Sequence, residues 1–219
     1  MNSTVHVIGG GRPLRAVAGA TAIPGALLFL AAVVVHPKRD GMHIAEVGQL
    51  YSVTHGLEAI GLLLQAIGLF TIAWAGAERL ARPRDLTAVY AALLGTIWYF
   101  GLIVVDGTRN PVTARYAPDL VHTPADLDSG TAIIVLPALV LFPLGYILLG
   151  LLNARHGARW AGLLLAAGAV VYTTGGLAIF GLGPSSPAIE VLEIVGAGPY
   201  AIGFVLMTRF WTAPARRVG

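Results

Sequence analysis

Six separate stretches of this chain, residues 16–35, 53–75, 86–105, 131–152, 160–182 and 188–210, are each long and apolar enough to cross a lipid bilayer. A crossing helix needs about 20 mainly apolar residues, because every backbone N–H and C=O must be satisfied within the segment where no water is at hand. Composition agrees. Of the 219 residues, 56% are apolar and 11% charged, and the mean hydropathy is +0.77, whereas a soluble chain carries about 25% charged residues. The expected fold is therefore all-α: one integral-membrane domain over 1–219, a polytopic bundle of six transmembrane helices, with an outer loop at 106–130. Pro24, Pro137, Pro143 and Pro199 fall inside the spans, where membrane helices accommodate proline as a kink. With no cysteine, disulfides, Cys-ligated zinc or iron–sulfur sites and thiol catalysis are excluded.

Orientation follows from the basic residues, which are retained on the cytoplasmic side. Arg12, Arg15, Arg79, Arg82, Arg84, Arg155, Arg159, Arg209, Arg216 and Arg217 all flank one side, ten of the fourteen Lys and Arg. The other side holds Lys38, Arg39, Arg109 and Arg115 against Asp40, Glu46, Asp106, Asp119, Asp126 and Asp128. The chain reads as a multi-pass protein of the cell membrane with both termini cytoplasmic. The sequence pI near 9.5 reflects that asymmetry, so no nucleic-acid partner is called for. Span one reads as an anchor rather than a cleaved leader, because its run exceeds the roughly 7–15 apolar residues of a signal peptide and ends without a small-x-small site.

Gly9-Gly10-Gly11 is not a dinucleotide fingerprint, since Leu14 stands at the third glycine and a membrane span follows where a βαβ unit is required. An internal echo aligns residues 55–72 with 190–207 at six identities in eighteen, among them Glu58/Glu193, Gly61/Gly196 and Gly68/Gly203. The paired glutamate is its informative match, and it places the two carboxyls at similar depth.

Ionisable groups inside a span are costly and point to function. Tyr51, His55, Glu58 and Gln65 share one helical face, as do Thr96, Tyr99 and Asp106, and Glu190, Glu193 and Tyr200. Together they describe a cavity opening outward, with His36 and His122 near its mouth. Two carboxyls in a low-dielectric pocket separate into an acid and a base. The expected catalytic set is Glu58 and Glu193 as acid and base, Asp106 orienting one of them and His55 tuning the pair. Trp98, Tyr99, Tyr200 and Arg109 are the expected substrate contacts, through aromatic faces and a phosphate- or carboxylate-binding guanidinium.

Such a set suits protonation, isomerisation or cyclisation of a hydrophobic lipid or isoprenoid, with no cofactor. The layout is similar to that of the integral-membrane terpene cyclases, small multi-span proteins that use one acidic residue early in the chain and another late, as Glu58 and Glu193 stand here. The likeness is architectural and no motif carries it. Two other readings stand beside the enzyme: a small proton- or cation-coupled carrier, and a membrane subunit of a larger complex. The plain alternative for either glutamate is an interfacial residue or a partner of Arg39, Arg109 or Arg115. His55-x-x-Glu58 and Glu190-x-x-Glu193 have ligand spacing, but in the reverse order to known carboxylate sites, so no metal is assigned. Trp74, Trp160 and Trp211 read as interface anchors, and His6 and His156 as lying where nothing polar converges. Thr123-Pro124-Ala125-Asp126 has the pattern of a short helix start.

Overall fold

The computed structural model describes residues 11–75, 80, 82–123 and 129–213. Gly9, Gly10, His6, Arg79, Arg216, Arg217, Asp128 and, from the short-helix start expected at 123–126, Pro124, Ala125 and Asp126 lie outside them. The chain is an all-α bundle: α1 (Gly11–Val34), α2 (Gly41–Val47), α3 (Gln49–Ala75), α4 (Pro83–Tyr116), a single 3₁₀ turn (Pro118–Leu120), α5 (Ser129–Arg155), α6 (Arg159–Leu182) and α7 (Pro187–Thr212). Among the described residues six helices are long and apolar enough to cross a membrane. They touch in chain order and close on themselves, with α1 on α3, α3 on α4, α4 on α5, α5 on α6, α6 on α7 and α7 back on α1.

Glycine lets the helices approach this closely. A Cβ on Gly61 or Gly68 of α3 would meet Phe29 or Ala22 of α1 at 2.8 and 2.5 Å, and one on Gly196 or Gly203 of α7 would meet Tyr172 or Leu165 of α6 at 2.2 and 2.5 Å. The aligned glycines of the echo thus do the same work twice, seating a helix on its predecessor, as small residues do in membrane bundles. The middle of the ring is filled by Phe29, Phe142, Tyr146, Tyr172, Tyr200 and Phe204, all buried and in mutual ring contact.

The third span differs from expectation. Instead of ending at Val105, α4 runs on to Tyr116, 34 residues in all, roughly 50 Å at 1.5 Å per residue against a hydrocarbon core of about 30 Å. Asp106, Arg109 and Asn110 therefore stand on an ordered helix and not in a loop. Pro111 falls inside the helix, and the neighbouring helix compensates for it. Pro111 has no N–H to give the carbonyl of Gly107 four residues back, and Ser52 Oγ of α3 donates to that carbonyl at 2.9 Å instead. Pro137 likewise frees the carbonyl of Ile133, to which Trp98 Nε1 donates at 3.4 Å.

One end of the bundle gathers the polar residues discussed below, under a small second core of Ile44, Tyr51, Ala114 and Val121. The other end is also polar, contrary to the reading of His156. Its Nε2 lies 3.6 Å from Asp85 Oδ2, and Trp211, expected as an exposed anchor, is buried and donates to Asn153 Oδ1 at 2.9 Å. The acid belongs there because Asp85 sits in the first turn of α4, where the helix dipole favours negative charge. Trp74 and Trp160 are exposed as anchors should be.

The Ser52–Gly107 bond makes a thermodynamic cycle available. Ser52→Ala should lower unfolding free energy in detergent by about 1 kcal/mol. Adding Pro111→Ala, which restores the helical N–H, should recover most of that loss, whereas independent sites would give additive effects.

Candidate functional site

Arg39 enters the bundle from the link between α1 and α2. Asp40 caps α2, its Oδ1 accepting from His43 N at 2.9 Å, and this fixes the backbone so that the preceding side chain points inward. Arg39 is 6% exposed. Its Nη2 and Nε donate to Glu193 Oε2 at 2.8 and 3.2 Å, and its Nη1 lies 3.6 Å from Asp106 Oδ2. Burial works against the Arg39 charge, but the carboxylates of Glu193 foremost and then Asp106 outweigh it and hold the guanidinium charged. Glu193 fits because α6 offers Gly175 opposite, where a Cβ would stand 2.7 Å from Glu193 Cγ.

Asp106 is the hub. Its Oδ2 meets His55 Nε2 at 2.9 Å, and its Oδ1 meets His122 Nε2 at 3.1 Å and accepts from Tyr51 Oη at 3.2 Å. Asn110, one turn on, donates to Oδ1 and also contacts His122 Nε2 at 2.8 Å. Gly107 makes the His55 contact possible, since a Cβ there would fall 2.4 Å from His55 Cβ. The two rings are held alike. His55 Nδ1 donates to the Tyr51 carbonyl at 2.9 Å and His122 Nδ1 to the Arg39 carbonyl at 2.8 Å, so each turns Nε2 toward Asp106. With Nδ1–H committed to a backbone carbonyl, the His55 Nε2–carboxyl contact needs a further proton, carried by the ring or by the carboxyl, whereas His122 Nε2 can accept from the Asn110 amide beside it. His122 is held in this position at φ 57°, the left-handed region, a strain that local bonding must offset.

His36 Nε2 approaches His55 Nδ1 at 3.3 Å. Burial, then the charges of Arg39 and His55, push the His36 pKa well below its usual 6.5, against the opposing pull of Asp106 and the Pro37 carbonyl.

Beside this network lies an open pocket, about 690 Å³ when its solvent-filled mouth is included. Arg39, Asp106, Arg109, Asn110, His122 and Glu193 form its polar end, and Leu102, Ile103, Val135, Leu139, Ile179 and Phe180 are among its apolar walls.

The residues singled out from the sequence divide between these features. Asp106, Glu193, Tyr99 and Arg109 line the pocket, and Arg109 Nη1 donates to Thr131 Oγ1 at 2.8 Å. His55 stands behind Asp106. Trp98 serves the Ile133 carbonyl, and Tyr200 is wholly buried, donating to Gln65 Oε1, which ties α7 to α3. Glu58 was paired with Glu193 in the sequence, but Glu193 binds Arg39, while Glu58 is fully buried with neither oxygen hydrogen bonded to protein. A buried carboxyl without a donor is costly when charged. Glu190 is exposed, which separates it from Glu193. Among the described residues no group of three or more His, Asp or Glu is arranged to hold a metal ion.

Sequence reasoning missed Asn110 as a network member, placed His122 only at the mouth, and held Arg39 only as one of three alternative partners for a glutamate. The signal available was the i, i+4 spacing of Asp106 and Asn110, which counts only once residues 106–116 are known to be helical. Comparison with protein-family models, curated proteins and solved structures finds no match to this chain. The chain is, by fold and site, a multi-span helical membrane protein with a buried network of charged residues.

Removing one member of a buried ion pair is far more damaging than removing a group that has no partner. Glu193→Gln should destabilise the protein by about 3–5 kcal/mol, and Glu58→Gln, which breaks no protein hydrogen bond, by less than about 1 kcal/mol. Denaturant titration in detergent ranks the two. A pH scan tests His36. Below 6.5 the unfolded chain takes up a proton that folded His36 refuses, so the residue subtracts stability as pH falls from there and nothing above it. The melting temperature of wild type should therefore drop relative to His36→Gln as pH is lowered from about 7 to about 5.

Proposed function

We propose that this protein is a membrane-embedded enzyme that performs acid–base chemistry on a hydrophobic lipid or isoprenoid. The observation that carries the reading is a carboxyl facing two imidazole Nε2 atoms at the polar end of an apolar pocket. Such a group holds a proton with several places to sit, and it can give one to a substrate and recover one from it. Protonation of an alkene or polarised oxygen, followed by loss of a proton from a neighbouring carbon, rearranges the substrate with no atom gained or lost. Isomerisation and cyclisation both have that balance.

In this reading His122 and Asp106 transfer the proton, and His55 holds Asp106 from behind. Arg39 and Glu193 position the carboxyl, and Tyr99 and Arg109 contact the substrate. Glu58, expected as one member of the catalytic pair, is then a second carboxyl beneath the network. It interacts electrostatically with His55, Arg39, Glu193 and Asp106. The unpartnered state of Glu58 favours the second reading, a proton-coupled carrier, in which that residue is the exchanging group.

Lipid and metabolite extracts from cells expressing wild type, Asp106→Asn or empty vector test the proposal by untargeted mass spectrometry at matched membrane expression. Wild type should yield a compound isomeric with a host lipid, reduced roughly 100- to 10,000-fold in rate by Asp106→Asn, the range for loss of a general acid or base. Identical profiles in a host rich in isoprenoids would overturn the enzyme and favour the carrier.

A further inference from the structure

We infer that the pocket takes an electrically neutral amphiphile, a single hydroxyl or carbonyl on an isoprenoid-like tail, and that Gly176 sets how bulky the tail can be. This rests on the acid–base reading of the same site and specifies its substrate.

The head group follows from charge. The pocket lining carries Arg39 and Arg109 against Asp106 and Glu193, so its formal charges cancel. Arg39 spends its donors on Glu193 and sits beside Asp106, and both Asp106 oxygens are engaged by histidines. A phosphate or an ammonium would have to break a buried pair or add an uncompensated charge, either of which is costly in a low-dielectric site. A hydroxyl or carbonyl needs only one hydrogen bond and disturbs no pair.

The tail follows from Gly176. Other glycines of the α6–α7 contact are demanded by packing: a Cβ at Gly168, Gly175, Gly196 or Gly203 would meet its neighbour at 2.3, 2.7, 2.2 and 2.5 Å. At Gly176 the nearest atoms are Leu139 Cδ2 at 3.6 Å and Tyr99 Oη at 3.9 Å, ordinary contacts. Helix packing therefore tolerates a side chain there. Gly176, Leu139 and Tyr99 all line the pocket, so what the missing side chain provides is room for a ligand.

Photocapture on the full-length protein in lipid nanodiscs tests both halves. The probe is a diazirine-bearing farnesol, competed by farnesol, farnesylamine and farnesyl phosphate, with labelled peptides located by mass spectrometry in wild type, Gly176→Ala and Gly176→Leu. Label should fall on α4, α5 and α6, and farnesol should compete about tenfold better than the amine or the phosphate, the factor set by about 1.4 kcal/mol. Gly176→Ala should melt as wild type does and weaken capture modestly. Gly176→Leu should weaken it about 10- to 200-fold, the effect of misfit by a few methylenes. Absent label, label elsewhere, equal or better competition by a charged head, or undiminished capture by both variants would overturn the inference. If Gly176→Leu fails to fold, Gly176→Ala and the head-group competition decide. Capture as described without a reaction product would sink the enzyme and leave this binding site standing. A product with capture elsewhere would sink the binding site alone.

Discussion

A guanidinium inside an apolar bundle must be met by a carboxylate, and Arg39 meets two. Taking the group out of water costs several kcal/mol that only close, well-directed partners offset. The contacts to Glu193 and Asp106 meet that requirement by drawing the ends of α4 and α7 toward the link after α1. The other features of this end follow. Asp106 is fixed between two rings, His122 is bonded to the backbone carbonyl of Arg39 itself, and the 3₁₀ turn is packed on α2, with Pro118 against Gly41. Such a pair is weak evidence for net stability. It is stronger evidence for a fixed geometry, which proton transfer between defined atoms needs.

The architecture was legible because the requirement behind it is crude. A span needs length and apolarity, and six stretches of the chain have both. The end of the third span was not, because its continuation depends on a bond between distant residues. Nothing in residues 106–111 announces that Ser52 will supply the donor that Pro111 removes. The same dependence hid the network, since Asp106, Asn110 and His122 fall on one site only if α4 continues past Val105.

The echo between spans two and six shows how a correct observation can be weighted wrongly. The paired glutamates drew attention because charge in a membrane is rare, yet they sit in different settings, one ion-paired and the other without a protein partner. The glycines, given less weight than the glutamates, have the same role in both helices. Gln65 and Tyr200, aligned but not identical, touch each other. What the two segments share is a way of packing rather than a pair of reacting groups. Tyr200 and Trp98 were similarly read as ligand contacts, and both spend their polar atoms inside the protein, as buried Tyr and Trp usually do.

The ring of helices closes in chain order, so each span finds its neighbour as soon as the next is made, with one exception. Arg39 and Glu193 are 154 residues apart, and the seam between α1 and α7 is the last to form. During synthesis the first five spans can assemble while Arg39 has Asp106 beside it but still lacks Glu193, its closer carboxylate. The polar centre is thus a late product of biogenesis, and a chain that stalls before α7 carries a buried cation with only one of its two carboxylates, a state that the membrane penalises. Completion of the fold and completion of the site are one event.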